Sequence, residues 1–286
     1  MAAPEVVAVA ASTVLSDVLT GPRQPARVAG AGDRAGYAVT TGGDVVALTT
    51  PSAAVPSCAV VLGGGRLPVE MMVAGRDVVI GEGEIRTAGH RLVVRRWWAP
   101  ARITPGARSR NAASCLCALM GAGLPVPAPV ARARSAGEDA GLALVEGSPA
   151  VAAATLLGVL GLGPGLTPSG DDVAAGLVLV ARALGVPGAG ALAREVAEAA
   201  PSRTNAVSAG LLAEAAAGRS AAVVVRAVDA LVGRAPAESS LRALLSLGHH
   251  SGADLASGML SVTSALGPNV PTPAGPRILV PTAPRA

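Results

Sequence analysis

Two segments of the chain carry serine, glycine and aspartate at the same spacing. Residues 169–176 read Ser-Gly-Asp-Asp-Val-Ala-Ala-Gly, and residues 251–258 read Ser-Gly-Ala-Asp-Leu-Ala-Ser-Gly. Each follows a turn that contains glycine and precedes an apolar run, so each is expected to begin a helix. The N-terminus of a helix has unpaired backbone N–H groups and a partial positive charge, which suit it to binding an anion. The repeat therefore predicts an anion site between two paired helices.

The same pattern also has a purely structural interpretation. Ser-x-x-Asp is close to a capping box, in which the serine oxygen accepts from the backbone and the acid bonds back to the serine. Three features go beyond a cap: the extra acid Asp171, the long leader at 161–168, and a glycine at the same interior position of both helices, Gly176 and Gly258. Glycine inside a helix costs about 1 kcal/mol relative to alanine, and a close approach of two backbones would explain that cost.

A third candidate helix start lies between the two copies of the motif. Thr204-Asn205 precedes Ser208, which lies four residues after Thr204 and so on the same helix face. These residues either form an ordinary N-cap or add donors to the same pocket, if the three helix starts converge. The candidate anion- or substrate-binding residues are therefore Gly163, Gly165, Thr167, Ser169, Gly170, Thr204, Asn205, Ser208, Ser251 and Gly252.

Groups that could transfer protons lie beside these motifs. The candidate catalytic residues are Asp171, Asp172, Asp254 and His249, which with its neighbour His250 immediately precedes the second motif. One histidine could act as a general acid or base, or as a metal ligand beside the aspartates, or could simply be a polar residue in a turn. No dedicated metal site is predicted; a divalent metal is left open, and the cofactor is unknown.

The two adjacent acids of the first motif are expected to differ in role. Asp172 holds the capping-box position, so its carboxylate is expected to bond with the backbone at Ser169. Asp171 is not used by the cap and points about 100° around the helix, towards the glycine-rich leader or solvent. Asp171 is therefore the strongest functional candidate on the sequence alone.

The composition excludes several classes of function. All 23 basic residues are arginines, so the chain has no lysine for a Schiff base or a phosphate loop, and backbone amides or arginine must hold any anion. The net charge is +4, but the arginines are scattered and aromatic residues make up only 1%, which argues against nucleic acid. The three cysteines lack metal-type spacing and indicate a reduced, cytoplasmic protein. Neither a signal peptide nor a membrane span is expected.

The order of the patterns predicts an α+β protein with a β-rich barrel or sandwich first. Residues 1–107 contain short runs separated by glycines, including a hairpin around Gly42-Gly43-Asp44 and a strand at Val69–Val73. Further strands are expected after Cys58, at Asp77–Ile80, around Ile85 and at Leu92–Trp98. Five to seven strands are therefore expected.

The helical part is expected over residues 108–266. A helix over Ser109–Met120 precedes a Pro-rich crossing at Pro125–Pro129, which is the expected internal joint. Six prolines then mark residues 267–286 as a tail with no fold of its own. Between the crossing and the tail, helices are expected near 151–160, 170–185, 189–200, 204–217, 220–232, 237–247 and 252–266.

The longest motif resembles that of a known family. Gly161-Leu-Gly-Pro-Gly-Leu-Thr-Pro-Ser-Gly-Asp-Asp172, then Thr204-Asn-x-x-Ser208 and then Gly248-His-His-Ser-Gly-Ala-Asp254 are similar to the AllH-like family, long described as a domain of unknown function. The resemblance covers roughly residues 30–266 and is loosest in the strand region. There only Gly43-Asp-Val-Val-Ala-Leu48 and Trp97-Trp98-Ala-Pro100 look similar, and the family's N-terminal histidine-serine turn is not evident.

The resemblance implies a subunit of a carbamoyltransferase complex in allantoin catabolism, a branch of purine degradation. Such a complex interconverts oxalurate plus phosphate with oxamate plus carbamoyl phosphate, and its other members are an FdrA-like subunit, similar to acyl-CoA synthetases, and a third subunit. Two functions follow. Either this chain binds the small anionic substrate at its helix N-termini, or it is a non-catalytic interaction or ligand-sensing partner of the FdrA-like subunit.

Overall fold

The computed structural model describes residues 4–32, 35–87, 89–121 and 126–267. Over these residues a strand-rich part is followed by a helical part, which confirms the α+β class and the order of its two halves. The Pro-rich tail expected over 267–286 lies, apart from its first residue, outside the described residues. None of the helices in the described ranges has both the length and the hydropathy to cross a membrane.

In the described part of the chain, eight strands close into a barrel. Their order around the barrel is β1-β5-β4-β3-β2-β6-β7-β8, and β8 pairs back onto β1. The β1/β8 and β4/β5 pairs are parallel and the others are antiparallel. The strands are β1 (Glu5–Ser12), β2 (Gln24–Ala31), β3 (Ala35–Thr40), β4 (Val45–Thr49), β5 (Ala59–Leu62), β6 (Asp77–Gly81), β7 (Glu84–Thr87) and β8 (His90–Trp98).

The eight strands of the described residues exceed the five to seven that the sequence predicts, because one expected strand does not form and two others were not expected. The hairpin around Gly42-Gly43-Asp44 is confirmed, because β3 and β4 pair antiparallel with Tyr37 opposite Ala47. The strand expected at Val69–Val73 is wrong, because Val69–Met72 form a turn of 3₁₀ helix after Pro68. Strands β1 and β2 were not predicted. Both are rich in alanine, a poor strand former, so their conformation depends on pairing with neighbouring strands.

The helices form the second half of the molecule, after a short α1 within the barrel part. Helix α5 lies at its centre, since nearly all its side chains are buried. The helices are α1 (Ser16–Thr20), α2 (Arg110–Met120), α3 (Ala128–Val145), α4 (Pro149–Leu157), α5 (Ser169–Ala183), α6 (Ala189–Arg203), α7 (Ala206–Ala216), α8 (Ala222–Leu231), α9 (Ala237–Leu245) and α10 (Ser251–Ala265).

Helix α3 is the main helix that the sequence analysis missed. Pro127 is its N-cap, so the Pro-rich crossing leads directly into a helix. Two interior glycines weaken the helical signal, yet both are required by packing. A Cβ atom on Gly137 would lie 2.5 Å from Val173 Cγ1, and one on Gly141 would lie 2.7 Å from Ser261 Oγ. Helix α3 therefore packs closely against both α5 and α10.

Helices α5 and α10 cross in direct backbone contact at the two repeated glycines. A Cβ atom on Gly176 would lie 2.1 Å from the Leu255 carbonyl oxygen, and one on Gly258 would lie 2.0 Å from the Val173 carbonyl oxygen. The contact is reciprocal, because each glycine meets the residue three positions before the other. This crossing fixes the two motifs relative to each other and accounts for the glycines inside both helices.

The helical part docks on the barrel through α7 and the leader of α5. Val207 in α7 is buried in the same apolar cluster as the barrel core. A Cβ atom on Gly210 would lie 2.4 Å from Val45 Cγ2 in β4, and one on Gly30 in β2 would lie 2.7 Å from Leu166 Cδ1. The junction between the halves is therefore closely packed on both sides of the first motif.

Candidate functional site

The two motif serines are the first residues of their helices and not their caps. The N-cap of α5 is Pro168 and that of α10 is His250, and neither uses its side chain as a cap. The capping-box prediction is therefore wrong at both motifs, because each helix starts one residue earlier than a serine cap requires. Ser169 and Ser251 are left to line the space in front of the helices.

The two helix starts open on one cavity of about 410 Å³. We call it the helix-mouth cavity, and its lining includes both motif serines and both adjacent histidines, whose ring centroids are 4.9 Å apart. The structure thus brings both copies of the motif together, although their role in binding stays a prediction. The lining consists of Pro164, Gly165, Thr167, Ser169, His249, His250, Ser251 and Asp254.

The leader wraps around the start of α5 with its glycines in left-handed conformations. Gly163 has a φ of +124°, and a Cβ atom there would lie 2.7 Å from the Ser169 backbone nitrogen. Gly165 has a φ of +91° but no atom stands where its Cβ atom would lie. Gly163 is therefore required for packing of the loop, whereas Gly165 leaves open space at the cavity.

Asp171 fastens the leader and the α6–α7 connection to α5. Its Oδ1 accepts from the Gly161 backbone N–H at 2.7 Å, and its Oδ2 accepts from the Thr204 hydroxyl. The sequence predicted that this carboxylate points towards the leader or towards solvent. It points towards the leader, and the residue is only 2% exposed. With both oxygens bound inside the protein, Asp171 acts here as a structural group.

Asp172 is the acid that is left without a backbone partner. Its Oδ2 atom is buried with no hydrogen-bond partner. Among the described residues, the Ser169 backbone N–H does not donate to this carboxyl group, so the expected capping bond is absent. Burial raises the pKa of Asp172 well above its usual range; the Ser251 hydroxyl lowers this pKa, while the charges of Asp254 and Asp171 raise it further. The structure therefore favours the neutral, protonated form of this side chain.

Asp254, the matching acid of the second motif, is paired with an arginine. Arg134 Nε in α3 donates to Asp254 Oδ1 at 2.8 Å, and the other carboxylate oxygen, Oδ2, is buried without a partner. Across the described ranges, no three His, Cys, Asp or Glu side chains are grouped as a metal site requires. The arginine compensates the charge of Asp254 next to the helix-mouth cavity.

A second cavity of about 230 Å³ lies where the helical part meets the barrel. We call it the junction cavity; Thr167 and Ser251 line it as well as the helix-mouth cavity. These two hydroxyl oxygens are 3.0 Å apart, so a hydrogen-bonded pair stands between the two spaces. The other polar side chains of the junction cavity are Tyr37, Ser57, Asp172, Glu214, Arg219 and Ser220.

The charged groups of the junction cavity neutralise one another. Arg219 donates two hydrogen bonds to Glu214, from Nε to Oε2 and from Nη2 to Oε1, both at 2.7 Å. Burial, and then the nearby Cys58 and Asp172, raises the pKa of Tyr37 to about 12, so its phenol is neutral at physiological pH. Since Asp172 also favours its neutral form, the cavity carries little net charge.

The remaining predicted residues have structural contacts. Asn205 caps α7, because its Oδ1 accepts from the Ser208 N–H at 3.0 Å while its Nδ2 donates to the Leu166 carbonyl. Gly170 and Gly252 are required for close packing, since a Cβ atom on them would lie 1.9 Å from Val159 O and 2.1 Å from Leu244 O. Thr204, Asn205 and Ser208 thus hold the third helix start beside the leader and do not line either cavity.

Several polar residues that line the junction cavity, or that bond to a residue lining the helix-mouth cavity, were not predicted from the sequence. Ser57 precedes β5, Arg134 lies within α3, and Glu214 and Arg219 follow one another around the end of α7. None of them belongs to a recognisable motif, because the loop before β5, helix α3 and the end of α7 are brought to the site by long-range packing. Tyr37 is the exception, because it lies in the first strand of the hairpin that the sequence predicts around Gly42-Gly43-Asp44.

Comparison with protein families locates the resemblance in the helical part of the chain. The family model described as "Oxamate carbamoyltransferase subunit AllH" matches residues 159–263. Residues 159–263 are AllH-like. This stretch contains both motifs and runs from α5 to α10, while the barrel lies outside it. The match confirms the resemblance over these residues. Neither the curated proteins nor the solved structures yield a significant match.

Proposed function

We propose that this chain is a subunit of a carbamoyltransferase complex and binds a small anionic substrate in its helix-mouth cavity. The observation that carries the proposal is the reciprocal glycine crossing of α5 and α10, which aims two helix N-termini at one cavity. Each N-terminus carries about half a positive charge. The N–H groups of Gly170 and Gly252 already donate to the carbonyls of Leu162 and Leu247, so the donors that face the anion are the first N–H groups, those of Ser169 and Ser251. Substrates of this class, oxalurate, oxamate, phosphate and carbamoyl phosphate, all carry a carboxylate or a phosphate.

Three nearby aspartates would oppose an anion if all were free and charged. In this structure Asp171 is bound on both oxygens, Asp254 is paired with Arg134, and burial favours the protonated form of Asp172. The negative charge near the cavity is thereby compensated or removed. The hydroxyls of Thr167, Ser169 and Ser251 and the backbone of Gly165 remain as ligands for the anion.

The proposal includes two partner chains, an FdrA-like subunit and a third subunit, in the cytoplasm. The test is to copurify the chain with these partners and to assay phosphate-dependent cleavage of oxalurate with and without it. We expect turnover to require this chain and to fall at least about tenfold in Ser251→Ala, which removes one hydroxyl from both cavities.

Ser246→Ala is the matched control, since Ser246 is exposed and its hydroxyl donates only to the Ala243 carbonyl. Full turnover by the partners alone would contradict a catalytic role. If the chain then still binds oxalurate, oxamate or phosphate, it acts as a ligand-sensing subunit, which is the second candidate function.

A further inference from the structure

Two residues that line the junction cavity, one from each half of the molecule, have a buried polar atom without a partner. Ser57 Oγ, from the barrel, and Asp172 Oδ2, from the first turn of α5, have no hydrogen-bond partner, and both residues line the cavity. Ser57 is 1% exposed and Asp172 is 9% exposed. A buried polar atom left unpaired costs about 1–3 kcal/mol. Two such atoms at one cavity therefore indicate a ligand that pairs with them.

The charge of the cavity narrows the class of ligand. Glu214 and Arg219 satisfy each other, and the Tyr37 phenol is neutral, so a free ion finds no opposite charge here. Ser57 Oγ is a hydroxyl oxygen that can donate or accept, and Asp172 Oδ2 belongs to a neutral carboxyl group, so the two unpaired atoms can supply one donor and one acceptor. The group that complements both at once is a primary amide, whose carbonyl accepts and whose N–H donates.

The position of the cavity adds a second restriction. Thr167 and Ser251 line both the junction cavity and the helix-mouth cavity, and their oxygens are 3.0 Å apart. A small molecule passing this pair of hydroxyls would have one end in the neutral space and the other in front of the helix N-termini. Such a molecule is an anion at one end and an uncharged amide at the other.

We infer that the junction cavity receives the carbamoyl end of the substrate, held by Asp172 and Ser57, while its anionic end lies in the helix-mouth cavity. This inference rests on the proposed function and adds the residues that select carbamoyl compounds among small anions. Asp172 is here a specificity-determining residue, and the barrel contributes to the site through Ser57. The inference also explains why the helical part is docked on a barrel at this position.

The test compares two anions that differ only at the amide. Oxamate carries a –CO–NH₂ group where pyruvate carries –CO–CH₃, and inorganic phosphate serves as an anion without either group. Binding of each to the full chain is measured by isothermal titration calorimetry. We expect oxamate to bind at least about tenfold more tightly than pyruvate, since pyruvate leaves the buried acceptor unpaired.

Three variants assign the preference to residues. Asp172→Asn keeps one donor and one acceptor at the same place and is expected to retain the preference for oxamate. Asp172→Ala and Ser57→Ala remove one partner each. Each is expected to lower the affinity for oxamate towards that for pyruvate, while the affinity for phosphate changes by no more than about twofold. Ser246→Ala, at a residue that lines neither cavity, is expected to change none of the three affinities. Circular dichroism confirms that each variant is folded.

The outcomes separate this inference from the proposed function. Equal affinities of oxamate and pyruvate for the folded wild-type chain would overturn the inference and leave an anion site in place. A preference for oxamate that survives both Asp172→Ala and Ser57→Ala would also overturn it. If oxamate, pyruvate and phosphate all fail to bind, the proposed anion site fails, and the inference falls with it.

Discussion

The crossing of α5 and α10 can be tested by adding one methyl group at each repeated glycine. In Gly176→Ala the new Cβ atom would lie 2.1 Å from the Leu255 carbonyl oxygen, whereas ordinary contact begins near 3.4 Å. The helices would have to separate by roughly 1 Å, because backbone atoms, unlike the end of a side chain, cannot rotate away. The same holds for Gly258→Ala, with a distance of 2.0 Å to the Val173 carbonyl oxygen.

Two opposing terms set the size of the effect. Overpacking typically costs about 1–3 kcal/mol, and the upper end applies to a backbone contact in the centre of the helical part. Alanine in place of glycine stabilises a helix by about 1 kcal/mol, which opposes this cost. Each single variant is therefore expected to lose about 2 kcal/mol of unfolding free energy. The double variant is expected to lose less than the sum, because one separation of the helices accommodates both methyl groups.

Urea unfolding followed by far-ultraviolet circular dichroism measures these free energies. Gly190→Ala is the matched control, because Gly190 is exposed in α6 and no atom lies within 4 Å of its added Cβ atom. It is expected to be neutral or to gain up to about 1 kcal/mol. The reasoning is refuted if Gly176→Ala and Gly258→Ala unfold like Gly190→Ala, since the two backbones would then not be in contact.

Three further predictions concern ionisable side chains. Asp171→Asn is expected to lower the unfolding free energy by about 1–3 kcal/mol, because one donor, from Gly161 or Thr204, loses its acceptor; unchanged urea unfolding would contradict this. Burial raises the pKa of Asp172 in the folded protein. The unfolding free energy of the wild type is therefore highest below the usual aspartate pKa of 3.8, and it falls as pH rises from there towards the folded-state pKa. The stability difference between Asp172→Asn and wild type should therefore change in favour of the variant by up to about 1.4 kcal/mol per pH unit above pH 4, and parallel pH profiles would contradict this. Arg219→Ala is expected to cost about 3 kcal/mol by leaving the buried Glu214 carboxylate unpaired, and adding Glu214→Gln should restore much of it; no recovery would contradict the pairing.

The sequence predicted those features that depend on local pattern. The α+β order, the hairpin of β3 and β4, and most helices follow from periodicity and glycine punctuation, which act over a few residues. The pairing of the two motif helices could also be predicted, because Gly176 and Gly258 stand at the same place in a repeated segment. Their positions are costly for an isolated helix, and that cost pointed to the contact that the structure contains.

The roles of Asp171 and Asp172 could not be predicted from the motif alone. They depend on the single residue at which α5 begins, and helix ends are the least certain part of any sequence-based prediction. With Pro168 as the N-cap, Asp171 contacts the leader and Asp172 turns inward towards the barrel side. Because α5 starts one residue earlier than a serine cap requires, Asp172 does not make the capping bond, and Asp171 is the acid that bonds to the leader.

The junction cavity could not be predicted because its parts are distant in sequence and follow no motif. Ser57 comes from a loop of the barrel, Asp172 from α5, and Arg219 from the segment after α7. Their proximity results from docking of the barrel on the helices through contacts such as Gly210 on Val45. Such long-range packing leaves no periodic trace in a single sequence.

The central claim is that two helix N-termini bind one anion together, and a phosphate titration followed by nuclear magnetic resonance tests it most directly. Backbone amide signals of the two motifs, at Ser169 and Ser251, report on α5 and α10 separately. The account predicts that both signals shift with the same dissociation constant, while the amide of Gly190 in α6 does not move. Shifts confined to one helix, two different dissociation constants, or no shift at either serine would contradict a shared site.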